Sequence, residues 1–169
     1  MRPHELFEKI SPQLATDIFS TLRTEQNATY KAAIQGLANQ RNLRPVFVER
    51  KPAPERHAWM KAALARKISD AIGEHLIQAW LLGSQKQMLC DFLDSLGIEH
   101  SEDGTVEKVP ESPSREKLAA AVTELLAKYP AEAVAVYLQA FRGMDAESDW
   151  PALREMLETD PRLKLGAKS

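Results

Sequence analysis

Residues 55–82 read ERHAWMKAALARKISDAIGEHLIQAWLL. Within them Met60, Leu64, Ile68, Ile72, Leu76 and Trp80 recur every four residues, with Ala71, His75 and Ala79 beside the row. A strand would need apolar residues at every second position, whereas a spacing of three to four lays them along one helix face. The stretch therefore predicts one long helix over 55–82, about 42 Å from end to end at the helical rise. Gly73 is expected to bend this helix without breaking it, and Gly83-Ser84 to stop it and restart the chain. Met88, Leu89, Phe92, Leu93 and Leu96 form the next face, with Gly97 as its C′ residue.

Towards the N-terminus the same period continues. A short helix fits His4–Ile10. Ser11 is placed to cap the next, with Pro12 at a first position where a missing N–H costs nothing. Leu14, Ile18 and Leu22 make its stripe. Asn27 is expected to cap a third helix with Tyr30, Ile34, Leu37 and Ala38 inside, which Gly36 weakens a little. The pattern breaks at Leu43–Pro54. Pro45, Pro52 and Pro54 punctuate Val46-Phe47-Val48, and residues before proline avoid the helical region, so an extended connector is expected, pinned to the core by those three side chains.

Towards the C-terminus, Ile98–Pro113 is acidic, and its Asp103-Gly104 pair allows a minimal β-hairpin over about 98–109. Three helices are expected beyond it. Ser112 and Pro113 start the first, Pro130 starts the second, and Asp149 or Trp150 with Pro151 starts the third, closed by Asp160-Pro161. A frayed tail is expected over Lys164–Ser169. The helices around Tyr129-Pro130 resemble one αα unit, but no fixed period recurs elsewhere, which argues against a solenoid. The expectation is an all-α, irregular bundle of seven or eight helices. It forms either one domain over 1–169 or subdomains 1–97 and 114–169 joined by an acidic connector at 98–113. In general look it resembles small bacterial helical proteins.

The 169 residues suffice to bury a core without staples. With 44% apolar and 27% charged residues, the composition is in the ordinary globular range and argues against disorder throughout. Cys90 stands alone, so no internal disulfide forms, which suits a reducing, cytoplasmic setting. No signal-peptide core follows Met1, and the most apolar run, Ile77–Leu82, is too short to span a bilayer, so no membrane partner is expected.

Catalytic signatures are missing. No nucleophile elbow, phosphate loop, dinucleotide fingerprint or H-E-x-x-H motif occurs. Asp70, Glu74 and His75 are the first residues to consider for a metal or a small-molecule site between helices. However, His75 turns about 100° from Glu74, so a solvated strip with Arg66 is the simpler reading. His100-Ser101-Glu102-Asp103 gathers donors without EF-hand spacing, so a polar loop explains it better than calcium. Acidic Asp91 and Asp94 beside Cys90 deactivate its thiol, which points to packing. No cofactor is implied.

Net charge is −2, but its distribution is uneven. Residues 41–67 hold eight cations against Glu49 and Glu55, whereas 68–117 hold ten carboxylates against four cations. Arg50, Lys51, Arg56, His57, Trp59 and Lys61 gather cations and an aromatic ring at a helix start, a composition suited to anions or a phosphate backbone. An inward Trp59, or pairing with the acidic 99–111 stretch, is the structural alternative. Trp80 and Trp150 are expected in the core, with Trp59 partly exposed. The leading expectation is a non-catalytic module that binds a protein partner or a second copy of itself through helix faces. Nucleic-acid or anion binding through 41–67 stands second.

Overall fold

The computed structural model describes residues 1–166, so the end of the expected tail, 167–169, lies outside the described residues. Among the described residues there are ten α-helices, two short 3-10 turns and no strand. The chain divides into two compact units, Met1–Trp80 and Leu81–Ser169, with the division inside one helix. The acidic stretch 98–113 lies within the second unit.

The first unit holds α1 (Pro3–Lys9), α2 (Pro12–Glu25), α3 (Asn27–Asn39), α4 (Pro45–Glu49), α5 (Ala53–Leu64) and most of α6 (Asp70–Ser84). Ser11 caps α2 as expected, its hydroxyl accepting from the Leu14 amide at 3.1 Å, an arrangement worth about 1 kcal/mol. Asn27 does not cap α3. Its side-chain amide instead donates to the Arg23 carbonyl at 3.0 Å and closes the end of α2. The core gathers where α5 meets α1 and α2. Phe7 stacks on Phe19 with centroids 6.1 Å apart, and Ile18, Leu22, Ile34, Met60 and Leu64 are sealed from solvent.

The long helix over 55–82 is two helices. Ala65 ends α5, Arg66 is extended with ψ 136, and residues 67–69 make a single 3-10 turn before α6. The cause is tertiary. Ser69 Oγ lies 2.9 Å from the Ala63 carbonyl and 2.8 Å from Gln40 Oε1, and the Gln40 amide donates to the Ile68 carbonyl at 3.1 Å. These bonds replace helical ones and turn Ile68 outward to 69% exposure, out of a row whose other members are at least half-buried. The connector at 43–54 also differs from expectation, since Pro45–Glu49 is a helical turn. Arg44 is extended, as a residue before proline should be, but Pro45 then serves as a first helical residue. Only Val48 is buried there. The split helix and this extra turn raise the count from eight to ten.

The second unit holds the end of α6, then α7 (Lys86–Leu96), α8 (Arg115–Lys128), α9 (Ala131–Arg142) and α10 (Pro151–Thr159). Gly97 ends α7 with φ 69, and the Ile98 amide reaches back to the Leu93 carbonyl, the left-handed stop expected of it. Ser114 caps α8, two residues later than Ser112 was expected to. α9 is buried nearly all round, as a central helix must be. Phe92, Tyr137, Phe141 and Trp150 form a chain of ring contacts with centroids 5.1–6.2 Å apart.

No hairpin forms at 98–109. Ile98 and Val109, which would have paired across it, are both buried. Gly104 packs so tightly on α7 that a Cβ there would stand 2.5 Å from Leu89 Cβ. The Asp103 carboxylate accepts from the Thr105 amide, which closes a local turn instead of a ladder. The segment buries its apolar ends instead of pairing them across a ladder.

Candidate functional site

The basic segment separates into inward and outward parts. Arg56 is buried. Its Nε donates to the Tyr30 hydroxyl at 2.7 Å, and one Nη donates to the carbonyls of Glu49 and Lys51 at 3.2 and 3.0 Å. This side chain ties α4 to α5 as a structural strut. His57, next to it, is also buried against Phe19, with centroids 5.6 Å apart and neither ring nitrogen hydrogen-bonded. Burial, then the charges of Arg56 and Arg23, hold its pKa below the usual 6.5, so the ring is neutral. Lys61 reaches the Glu8 carbonyl at 3.3 Å. Trp59 is half-buried beneath the Arg41 guanidinium, which stands 5.3 Å from the ring centroid. Of the residues singled out from sequence, Arg50 is exposed and Lys51 half-exposed, while Arg56 and His57 face the interior.

An exposed face therefore forms from other residues. Phe47 is 59% exposed, Ile68 69%, Leu43 41% and Val46 39%. Leu43, Val46 and Phe47 lie on the short path from α3 into α4. Gln40, at the end of α3, holds the 67–69 turn, which brings Ile68 to the same end of the unit. Exposed Arg44, Arg50, Arg66 and Lys67 flank these residues in the chain, with Arg41 half-buried. Partial burial, and then the nearby Arg66, disfavour the charge on Arg41, a sign of crowded positive charge. Sequence reading missed this face because Ile68 keeps step with the buried row and Phe47 sits in an apolar triplet. The one available signal was the basic composition of 41–67.

The residues considered for a metal do not converge. Asp70 accepts from the His4 amide at 2.9 Å and lies 2.8 Å from His4 Nδ1, with Arg2 at 3.9 Å. Burial raises its pKa, but the two His4 hydrogen bonds and the charges of His4 and Arg2 outweigh this and hold it below the ordinary carboxylate value. It anchors α1 to the start of α6. Glu74 and His75 are exposed. Among the described residues, no group of three or more His, Cys, Asp or Glu side chains is arranged to hold a metal ion.

In the second unit, a cavity of about 520 Å³ lies between residues 97–101 and 105–110. Its walls carry Glu99, Glu107 and Lys108, together with His100, whose ring is taken up by Asp94 and the Ser101 carbonyl. Cys90, on the nearby helix, donates weakly to the Glu102 carbonyl. Burial, then Asp94, Asp91 and Asp103, push its thiol pKa up, the reverse of an activated nucleophile. No helix is long and apolar enough to cross a membrane among the described residues. No family model, curated protein or solved structure matches the chain.

Proposed function

We propose that this chain is a non-catalytic helical interaction module that binds a protein partner through the face built by Leu43, Val46, Phe47 and Ile68. The observation that carries this reading is the outward placement of Phe47 and Ile68 at one end of the first unit. Burying a large apolar side chain is worth roughly 1.5–3 kcal/mol, and two such anchors at the centre of a contact are what an interface needs. The surrounding cations select the partner. Arg44, Arg50, Arg66 and Lys67 favour a segment that carries carboxylates between apolar side chains. A symmetric pair of copies would set these cations against one another, which disfavours a second copy as occupant.

The test is a purification partner that survives exacting controls. A protein held by the wild-type chain should be released by Phe47→Ser with Ile68→Ser, and also by Arg44→Glu with Arg50→Glu. Both pairs are exposed, so helix content should not change. A partner held equally by all three proteins removes this reading, and a concentration-dependent rise in mass by light scattering substitutes a second copy for it.

Nucleic-acid binding has one observation in its favour, the exposed cations themselves. Against it, Leu43, Val46 and Ile68 have no ring to stack on a base and Trp59 is half-buried beneath Arg41, which leaves Phe47 as the single exposed ring of the face. This reading expects single-stranded DNA or RNA to bind at low salt, with affinity falling steeply as salt rises. Absence of binding at low salt excludes it.

A further inference from the structure

We propose that His100 is a pH-dependent clasp that holds the 98–110 segment on the end of α7. The geometry leaves one protonation state that satisfies it. His100 Nδ1 lies 2.7 Å from the Ser101 carbonyl oxygen, and Nε2 lies 2.8 Å from Asp94 Oδ1. Both neighbours only accept hydrogen bonds. A neutral imidazole carries one N–H, so one nitrogen would then set its lone pair against an oxygen. The imidazolium donates to both.

Titratable groups at this end of the unit come from three elements. From α7 come Asp94 and Cys90, the latter bonded to the same segment at the Glu102 carbonyl. From the segment itself come Glu99, Glu107 and Lys108 on the cavity wall. From α8 comes Lys117, whose Nζ approaches Gly97. Of these groups, Asp94 is the one within hydrogen-bond distance of the ring, and it favours the cation. The segment has few other polar ties to α7. Its remaining hold is the Ile98 amide on the Leu93 carbonyl, the Trp150 indole N–H on the Pro110 carbonyl, the packing of Gly104 on Leu89 and the buried ends Ile98 and Val109. Loss of the proton leaves a neutral ring that donates to Asp94 or to the Ser101 carbonyl but not to both, which loosens the hold on the turn closed by Ser101, Gly104 and Thr105.

The direction of the response follows. The Ser101 carbonyl and then Asp94 raise the pKa of His100 above 6.5. The clasp is therefore shut below 6.5 and released as pH rises through the folded value. NMR titration of the full chain from pH 5 to 9 is the test. His100 should titrate above 6.5, and Asp94→Asn, which keeps the shape and removes the charge, should lower that midpoint. Hydrogen-exchange protection at the Ser101 and Gly104 amides should be lost as pH rises through the midpoint in the wild type. In His100→Gln it should not respond to pH. A His100 midpoint at or below 6.5, protection that ignores pH in the wild type, or a pH response that persists in His100→Gln each overturn the proposal.

Discussion

Gly104 and Gly143 are two glycines in the second unit with opposite tolerances. Gly104 has φ 83 and sits against α7, where a Cβ would stand 2.5 Å from Leu89 Cβ. Its alanine variant meets both left-handed strain and a collision with the base of a side chain, which cannot swing aside. Gly104→Ala should destabilise the second unit by about 2–4 kcal/mol, read as a lower urea midpoint. Gly143 has φ −84, and the nearest atom to its Cβ would be a backbone oxygen at 3.4 Å. Gly143→Ala should change stability by no more than about 0.5 kcal/mol. An equal effect at both positions would contradict the described packing of the 98–110 segment. Arg56 belongs at the same scale. Its head serves the Tyr30 hydroxyl and the carbonyls of Glu49 and Lys51. Arg56→Lys should cost about 2 kcal/mol, because one ammonium cannot span three acceptors set out for a planar fork. If the lysine variant melts like the wild type, the strut is not structural.

At the scale of elements, helix ends written in local chemistry were legible and those imposed from a distance were not. Ser11-Pro12, Gly97, Pro130 and Pro151 act where their own backbone preferences place them. The break at 65–69 has no such marker. Ala65 and Arg66 are good helix formers, and Ile68 keeps the four-residue beat. The signal lies in Ser69 and in Gln40, 29 residues earlier in the chain. Periodicity reports which side chains would share a face if the helix ran on, and it cannot report a bond that stops it. The same gap hid the candidate face, since Ile68 is exposed because the helix breaks. Removing the Ser69 hydroxyl leaves the Ala63 carbonyl without that donor in a buried place, so Ser69→Ala should cost about 1–2 kcal/mol by thermal or urea unfolding. The glycines inside helices show the same lesson. Gly36 was legible as a weak point of α3, but its role is to admit Ile72, whose Cδ1 would stand 2.8 Å from an added Cβ. In an Ile72→Val background that obstruction is gone. There, Gly36→Ala should add up to about 1 kcal/mol of stability through helix propensity alone. A destabilising result would show that the backbones, and not the isoleucine tip, limit the approach.

For the whole molecule, His57 and His100 give the two units opposite responses to acid. His57 is neutral inside the first unit and its pKa lies below 6.5, owing to burial and then to Arg56 and Arg23. Below pH 6.5 the unfolded chain takes up a proton there that the folded unit resists. The first unit is therefore at full stability above 6.5 and loses it as pH falls towards the folded value. His100 in the second unit has a raised pKa, from the Ser101 carbonyl and then Asp94. Its contribution is complete below 6.5 and is lost as pH rises through the folded value. Other perturbed groups are silent between pH 5.5 and 7.5. Asp70, Asp91, Asp149 and Asp160 titrate below the ordinary carboxylate value of 3.8, Cys90 above 9.0, and Tyr129 at about 12. Hydrogen exchange followed by mass spectrometry, corrected for the intrinsic pH dependence of exchange, separates the units in one experiment. Moving from pH 7.5 to 5.5 should reduce protection across α2 and α5, which pack around His57, and increase it across residues 98–106. His57→Phe should abolish the first response and leave the second, because a phenyl ring keeps the contact with Phe19 and has nothing to protonate. Parallel changes in both units, or a first-unit response that survives His57→Phe, would refute the assignment of acid sensitivity to that ring.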